Sequence, residues 1–205
     1  MRKIMDKLVS GLKINKKMVI FLVTIGIISI VVGSIFVVVL NNDDKYLITK
    51  YLNNFFNNIK DNKLNYLNAL KNVSISNYLY IFIIWLLGIS VIGIPIMIFM
   101  YFMKCFMLGF SIASILINYK FKGLLLSLIY IFPHHIIAII IYTILLVYSL
   151  TLSIKIGQAF LFKKCLNFKL IINKYLFVLI ISFAIITLTN LYEVYLLPIV
   201  LKNFI

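Results

Sequence analysis

Lys16-Lys17 is followed by MVIFLVTIGIISIVVGSIFVVVL, Met18–Leu40, a run without a single charge. At 1.5 Å per helical residue this run extends roughly 34 Å. That is enough to cross a hydrocarbon core of about 30 Å. The preceding residues 1–17 carry Arg2, Lys3, Lys7, Lys13, Lys16 and Lys17 against one acid, Asp6, the basic flank that holds a first span with its N-terminus on the cytoplasmic side. The run is longer than the apolar region of a secretory signal, and Leu40-Asn41-Asn42-Asp43 is not a small-residue cleavage site. Residues 18–40 are therefore read as an uncleaved first transmembrane helix.

Composition extends this reading to the whole chain. Of 205 residues, 64% are hydrophobic and 12% charged, and the mean hydropathy is +1.12. That is too few charges to clothe a water-soluble domain of this size. In lipid every backbone N–H and C=O must be paired within the protein, which leaves helices or closed barrels. The long Ile-, Leu-, Phe- and Val-rich runs lack the short alternation of barrel strands. The expected fold is all-α: a polytopic integral membrane protein with about five transmembrane helices and one interfacial amphipathic helix, in a single membrane domain over residues 1–205. Net charge is +15. The basic residues are scattered between apolar runs and form no continuous groove, so lipid and not nucleic acid is the expected partner. Cys105 and Cys165 lack metal-ligand spacing and are read as reduced, unpaired thiols.

Residues 41–77 are the most polar stretch. Asp43 and Asp44 stand where a helix would begin and meet its positive dipole end. Ile48, Tyr51, Leu52, Phe55, Phe56 and Ile59 then recur at helical spacing, with Lys50, Asn53, Asn54, Asn57 and Asn58 opposite. This predicts an amphipathic helix lying in the outer interface, its rings at headgroup level. Its asparagine face (Asn53, Asn54, Asn57, Asn58) is available to an extracytoplasmic partner.

Residues 78–119 hold one charge, Lys104, and are long enough for two spans. Lys104 is taken as the inner turn, where a lysine can snorkel to water. This gives spans at 78–101 and 104–119, with Gly93-Pro95 kinking the first of them. Residues 124–154 form a fourth span kinked at Pro133. Residues 155–174, with Lys155, Lys163, Lys164, Lys169 and Lys174 and no acid, make a cytoplasmic basic loop. Residues 175–198 are the fifth span, ending at Pro198, and 199–205 an outer tail. The excess of basic residues in 1–17 and 155–174 places the N-terminus inside and the C-terminus outside.

Candidate chemistry is sparse. No pair of carboxylates falls in one span, and HExxH, GxSxG and phosphate-cradling glycine motifs are missing. No catalytic, cofactor-binding or metal-ligating residue is assigned, and the chain is expected not to be an enzyme. Pro133-His134-His135 stands out within an apolar run. Its rings are read as partners for backbone groups freed by Pro133, because no carboxylate or third ligand stands near in the sequence. Gly88, Gly93 and Gly109, with Ser111 and Ser114, offer small surfaces for close helix approach, within the chain or between copies in a homo-oligomer.

Taken in order, several motifs resemble the stage II sporulation protein M family. After a basic N-terminus, a first span and an amphipathic outer segment come Trp85-Leu86-Leu87-Gly88 and Ile92-Gly93-Ile94-Pro95. Met107-Leu108-Gly109-Phe110 and Tyr130-Ile131-Phe132-Pro133-His134 follow. Trp85, Gly88, Gly93, Pro95, Gly109, Pro133 and His134 are thus the motif positions. The wider family often has Pro-His-Gly followed by a Glu; here His135 replaces the Gly, and Ala138 stands where the Glu would be. The resemblance implies a non-enzymatic scaffold at the sporulation septum. It would join stage II sporulation proteins D and P, which cleave peptidoglycan during engulfment of the forespore. The rival expectation is a small-solute transporter or permease subunit using broken helices at Pro95 and Pro133.

Overall fold

The first long apolar run forms helix α1, Lys16–Val39, in a computed structural model that describes residues 16–162 and 168–202. Leu22, Gly26, Ser29, Gly33 and Val37 are its buried positions. Their spacing of three and four puts them on one stripe, and the remaining apolar side chains face outward. Helix α2, Asn42–Lys60, follows at once, with Asp43 and Asp44 in its first turn and Lys60 in its last, both suited to the helix dipole. The chain leaves α2 through Asn62, whose φ of 54° is a left-handed value that asparagine tolerates. Asn65 then caps helix α3, Tyr66–Leu87, its side-chain oxygen accepting from the Asn68 N–H at 3.1 Å.

The next reversal lies elsewhere than the sequence reading put it. Helix α3 starts well before residue 78 and stops at Leu87; the turn is Gly88–Ile92, and α4 runs from Gly93 to Tyr130. Lys104 sits inside α4, so the expected spans 78–101 and 104–119 and a turn at Lys104 are corrected. Two physical facts decide it. Pro95 lies in the first turn of α4, where a missing N–H costs no helical hydrogen bond. The turn is also closed too tightly for a side chain at Gly93, where a Cβ would stand 2.2 Å from the Leu87 carbonyl oxygen. The side chain of Ser153 anchors the turn by donating to the Ser90 carbonyl.

Helix α4 breaks direction at Lys120, with φ 50° and ψ −126°. Residues 124–130 therefore belong to its last limb and not to the next span. Helix α5, Phe132–Phe162, takes Pro133 in its first turn, so the expected kink within 124–154 is replaced by a helix start. Helix α6, Phe168–Leu191, begins before residue 175. The basic stretch 155–174 is helical at both ends, and Cys165 lies outside the described residues. The fifth span does not stop at Pro198. A wide turn, Tyr192–Leu196, closed by the Leu197 N–H on the Tyr192 carbonyl, leads into α7, Leu197–Lys202. Leu201 is fully buried, and the Lys202 Nζ donates to Asn62 at 3.1 Å. Residues 199–202 are thus packed helix, not tail.

Five helical stretches are long and apolar enough to cross a membrane: 16–39, 66–87, 93–129, 133–161 and 171–202. Helix α5 is central, with 56% of its apolar stretch buried against 11% for that of α3. Tyr142, Leu145, Leu146, Val147 and Leu150 form its part of the main core. Outward-facing side chains such as Ile180 and Leu188, 65% and 66% exposed, would be costly in water and are at home in lipid. The chain is an all-α, multi-pass membrane protein.

Helices α1 and α4 make the closest approach. A Cβ on Gly33 would lie 2.2 Å from the Phe106 carbonyl oxygen, and one on Gly109 would lie 2.1 Å from that of Ile30. Each glycine therefore receives the backbone of the other helix, the contact that small residues permit in membranes. The Ser34 hydroxyl fastens it by donating to the Gly109 carbonyl at 3.2 Å, and Phe36 meets Phe106 edge-on at 5.6 Å.

Candidate functional site

At the end of the bundle that carries α2, helices α3, α4, α5 and α6 surround a cavity of about 350 Å³. Apolar helices that enclose polar groups must satisfy them locally, because lipid offers no hydrogen bonds. Asn77 of α3 does most of this. Its side-chain oxygen accepts from the Lys104 ammonium at 3.1 Å and from the Tyr142 hydroxyl at 3.0 Å. Its amide nitrogen donates to Asn190 at 2.7 Å, and Asn190 donates to Ser74 at 3.3 Å. One asparagine thus ties α3 to α4, α5 and α6.

Lys104 is also held by the faces of two rings, 5.3 Å from the centroid of Tyr80 and 5.6 Å from that of Tyr142. A desolvated ammonium gains from such ring quadrupoles. Across the cavity lies Glu193, carried inward on the wide turn before α7. Its carboxylate stands 3.7 Å from the Nε2 of His134, which is almost wholly buried. The His134 and His135 rings meet edge-to-face with centroids 4.1 Å apart. His135 also lines a second, more apolar cavity between α4 and α2.

His134 is therefore beside a carboxylate, which the sequence reading did not foresee, because Glu193 is 59 positions away in the chain. Lys104, Asn77, Tyr142 and Glu193 were also missed as site residues. A signal existed. Lys104 is the only charge in 78–119, and Glu193 is the only acid after Asp61. Two lone, opposite charges in apolar helices are candidates for one polar site.

The predicted motif positions fall into three places. Trp85, Gly88, Gly93 and Pro95 build the turn at the far end of the bundle. Trp85 stacks on Tyr175 at 5.6 Å, and its carbonyl accepts from the Tyr175 hydroxyl at 2.7 Å. A Cβ on Gly88 would be 2.1 Å from that same hydroxyl oxygen. Gly109 belongs to the α1–α4 contact, so its small surface is used within the chain. Pro133 starts α5 and sets His134 at the cavity, where Ala138 is also part of the wall.

Helix α2 covers this end of the bundle. Phe56 and Ile59 are buried in a cluster with Leu108, Ile115, Leu126, Ile131 and Leu201. Thr49 hydrogen-bonds Asn118, and the Tyr119 hydroxyl donates to Asn53 at 2.5 Å. Its apolar face thus rests on protein, where the sequence reading had laid it on lipid alone. Lys50, Asn53, Asn54, Asn57 and Asn58 are exposed on the other side. Among the described residues, no cluster of His, Cys, Asp and Glu could hold a metal ion.

Comparison with curated proteins and with solved structures gave no match. A family model, Stage II sporulation protein M, matches residues 15–198, a range that takes in all five long helices and the walls of the cavity. The chain belongs to the stage II sporulation protein M family.

Proposed function

We propose that this protein is a non-enzymatic membrane scaffold that brings peptidoglycan hydrolases to the sporulation septum for engulfment of the forespore. The observation that carries this reading is α2. It is a polar-faced helix clamped to the bundle by Phe56, Ile59 and side-chain hydrogen bonds, with Asn54, Asn57 and Asn58 turned outward. A fixed polar face of this kind offers hydrogen bonds to a partner without a cost for ordering the helix on binding. The basic flanks place the N-terminus in the cytoplasm and α2 outside, facing the cell wall. The partners that fit are stage II sporulation proteins D and P, with the hydrolytic chemistry on their side. The rival reading, a transporter with helices broken at Pro95 and Pro133, loses its motive, because both prolines open helices and neither interrupts one.

The test is a fluorescent fusion followed in sporulating cells, coupled to crosslinking and pull-down. The expected result is enrichment at the asymmetric septum, capture of the hydrolases, and weaker capture when Asn54, Asn57 and Asn58 are replaced together by Glu. Uniform membrane fluorescence, or normal engulfment after deletion of the gene, would refute the proposal.

A further inference from the structure

Lys104 and Glu193 line one cavity and carry opposite charges, yet they do not form an ion pair. Among the described residues the ion pairs are Lys63–Asp61, which is exposed, and His134–Glu193. Lys104 is held instead by Asn77 and two tyrosine rings, and Glu193 lies beside His134. Within apolar helices, two opposite charges separated by open space are worth less than two in contact, unless something stands between them. The walls also keep spare hydrogen-bonding capacity: the His135 Nδ1 is buried without a hydrogen-bond partner among the described residues.

We propose that this cavity binds a small zwitterion, an ammonium joined to a phosphate or carboxylate by a short linker. Its oxyanion meets the Lys104 ammonium and the Tyr142 hydroxyl, and its ammonium meets the Glu193 carboxylate. The charge balance favours such a ligand. A lone anion would face Glu193 and a lone cation would face Lys104, whereas a zwitterion leaves no unpaired charge in a low-dielectric site. The cavity volume of about 350 Å³ lies at the small end of ligand pockets, the scale of a headgroup or an amino acid. The same chemistry is offered by an ethanolamine phospholipid headgroup and by a soluble zwitterion. The inference stands apart from the scaffold reading.

The full chain, purified in maltoside detergent and exchanged into phosphatidylglycerol, is titrated calorimetrically with O-phosphoethanolamine, inorganic phosphate and ethylammonium. In parallel, it is reconstituted with phosphatidylethanolamine and examined by native mass spectrometry for a retained lipid. The expected result is saturable one-to-one binding of a zwitterion, with phosphate and ethylammonium each weaker. K104M and E193Q should each weaken binding by about tenfold or more, the loss of one charge-assisted contact. K155M, at an exposed position away from the cavity, should leave it unchanged. Retained phosphatidylethanolamine identifies a lipid source, and binding of O-phosphoethanolamine alone identifies a soluble one. A138L keeps both charges and fills the cavity, so it should abolish binding even where K104M or E193Q fails to fold. Absence of saturable binding in both arms overturns the proposal, leaving a cavity that holds water. So does phosphate binding as tightly as the zwitterion, or unchanged binding in A138L.

Discussion

Gly109 and Gly33 set the distance between α1 and α4, because each accepts the other helix's backbone where a Cβ would collide with a carbonyl oxygen at 2.1 to 2.2 Å. Backbone carbonyls cannot turn aside as side chains can. Even G109A should therefore push the helices apart, at a cost of about 1–3 kcal/mol from overpacking. The check is reversible unfolding in mixed micelles, where G109A and G33A should both lower the midpoint and G157A should not. A Cβ at Gly157 would meet only Val91 methyl groups at 3.3 Å or beyond. Asn77 is the polar counterpart. N77L keeps the volume but removes the acceptor for Lys104 and Tyr142 and the donor to Asn190. It should cost about 2–3 kcal/mol, the loss of a hydrogen bond to a buried charge, measured by the same unfolding assay. Residue types alone did not reveal this role. Asn77 stood in a polar stretch read as surface, and only the fold shows that its polarity is used inside the bundle.

Helix α2 can be tested as a unit. Its attachment depends on Phe56 and Ile59, 4% and 2% exposed. F56A should remove about 3 kcal/mol of packing at most, and the loss should appear locally. Amide hydrogen exchange across 42–60 should speed up while 93–119 stays protected; equal acceleration in both would show that α2 is part of the global fold and not a separately docked element. The existence and period of this helix were legible from the sequence, since its apolar positions recur at three and four. What covers the apolar face was not, because protein and lipid select the same side chains. The α3–α4 turn was illegible for a related reason. Lys104 looked like the residue needing water, but Asn77 and two tyrosine rings hold it in place. Gly88, Gly93 and Pro95 do mark the reversal, through steric demands that the sequence reading assigned to a kink.

Across the whole molecule, the five long helices and the apolar exterior were plain in composition, while the convergence of Lys104, His134 and Glu193 depended on packing between distant segments. Moving Lys104 out of the turn does not alter the number of crossings, so α2 and the α3–α4 turn remain on opposite faces. In a cysteine-free background, N57C should react with a membrane-impermeant maleimide in intact cells. S90C should react only after the membrane is opened. Labelling of S90C from outside would invert the topology and take α2 away from the cell wall.

The wide turn at Tyr192–Leu196 works as a phase shift. It admits one residue more than an α-helical turn, and so rotates everything after it. Removing Tyr195 should restore ordinary winding and swing the last residues by about 100° about the axis. Leu197 and Leu201 would then point to lipid, Lys202 would lose its hold on Asn62, and the far end of α2 would come loose through a deletion that touches no residue of α2 itself.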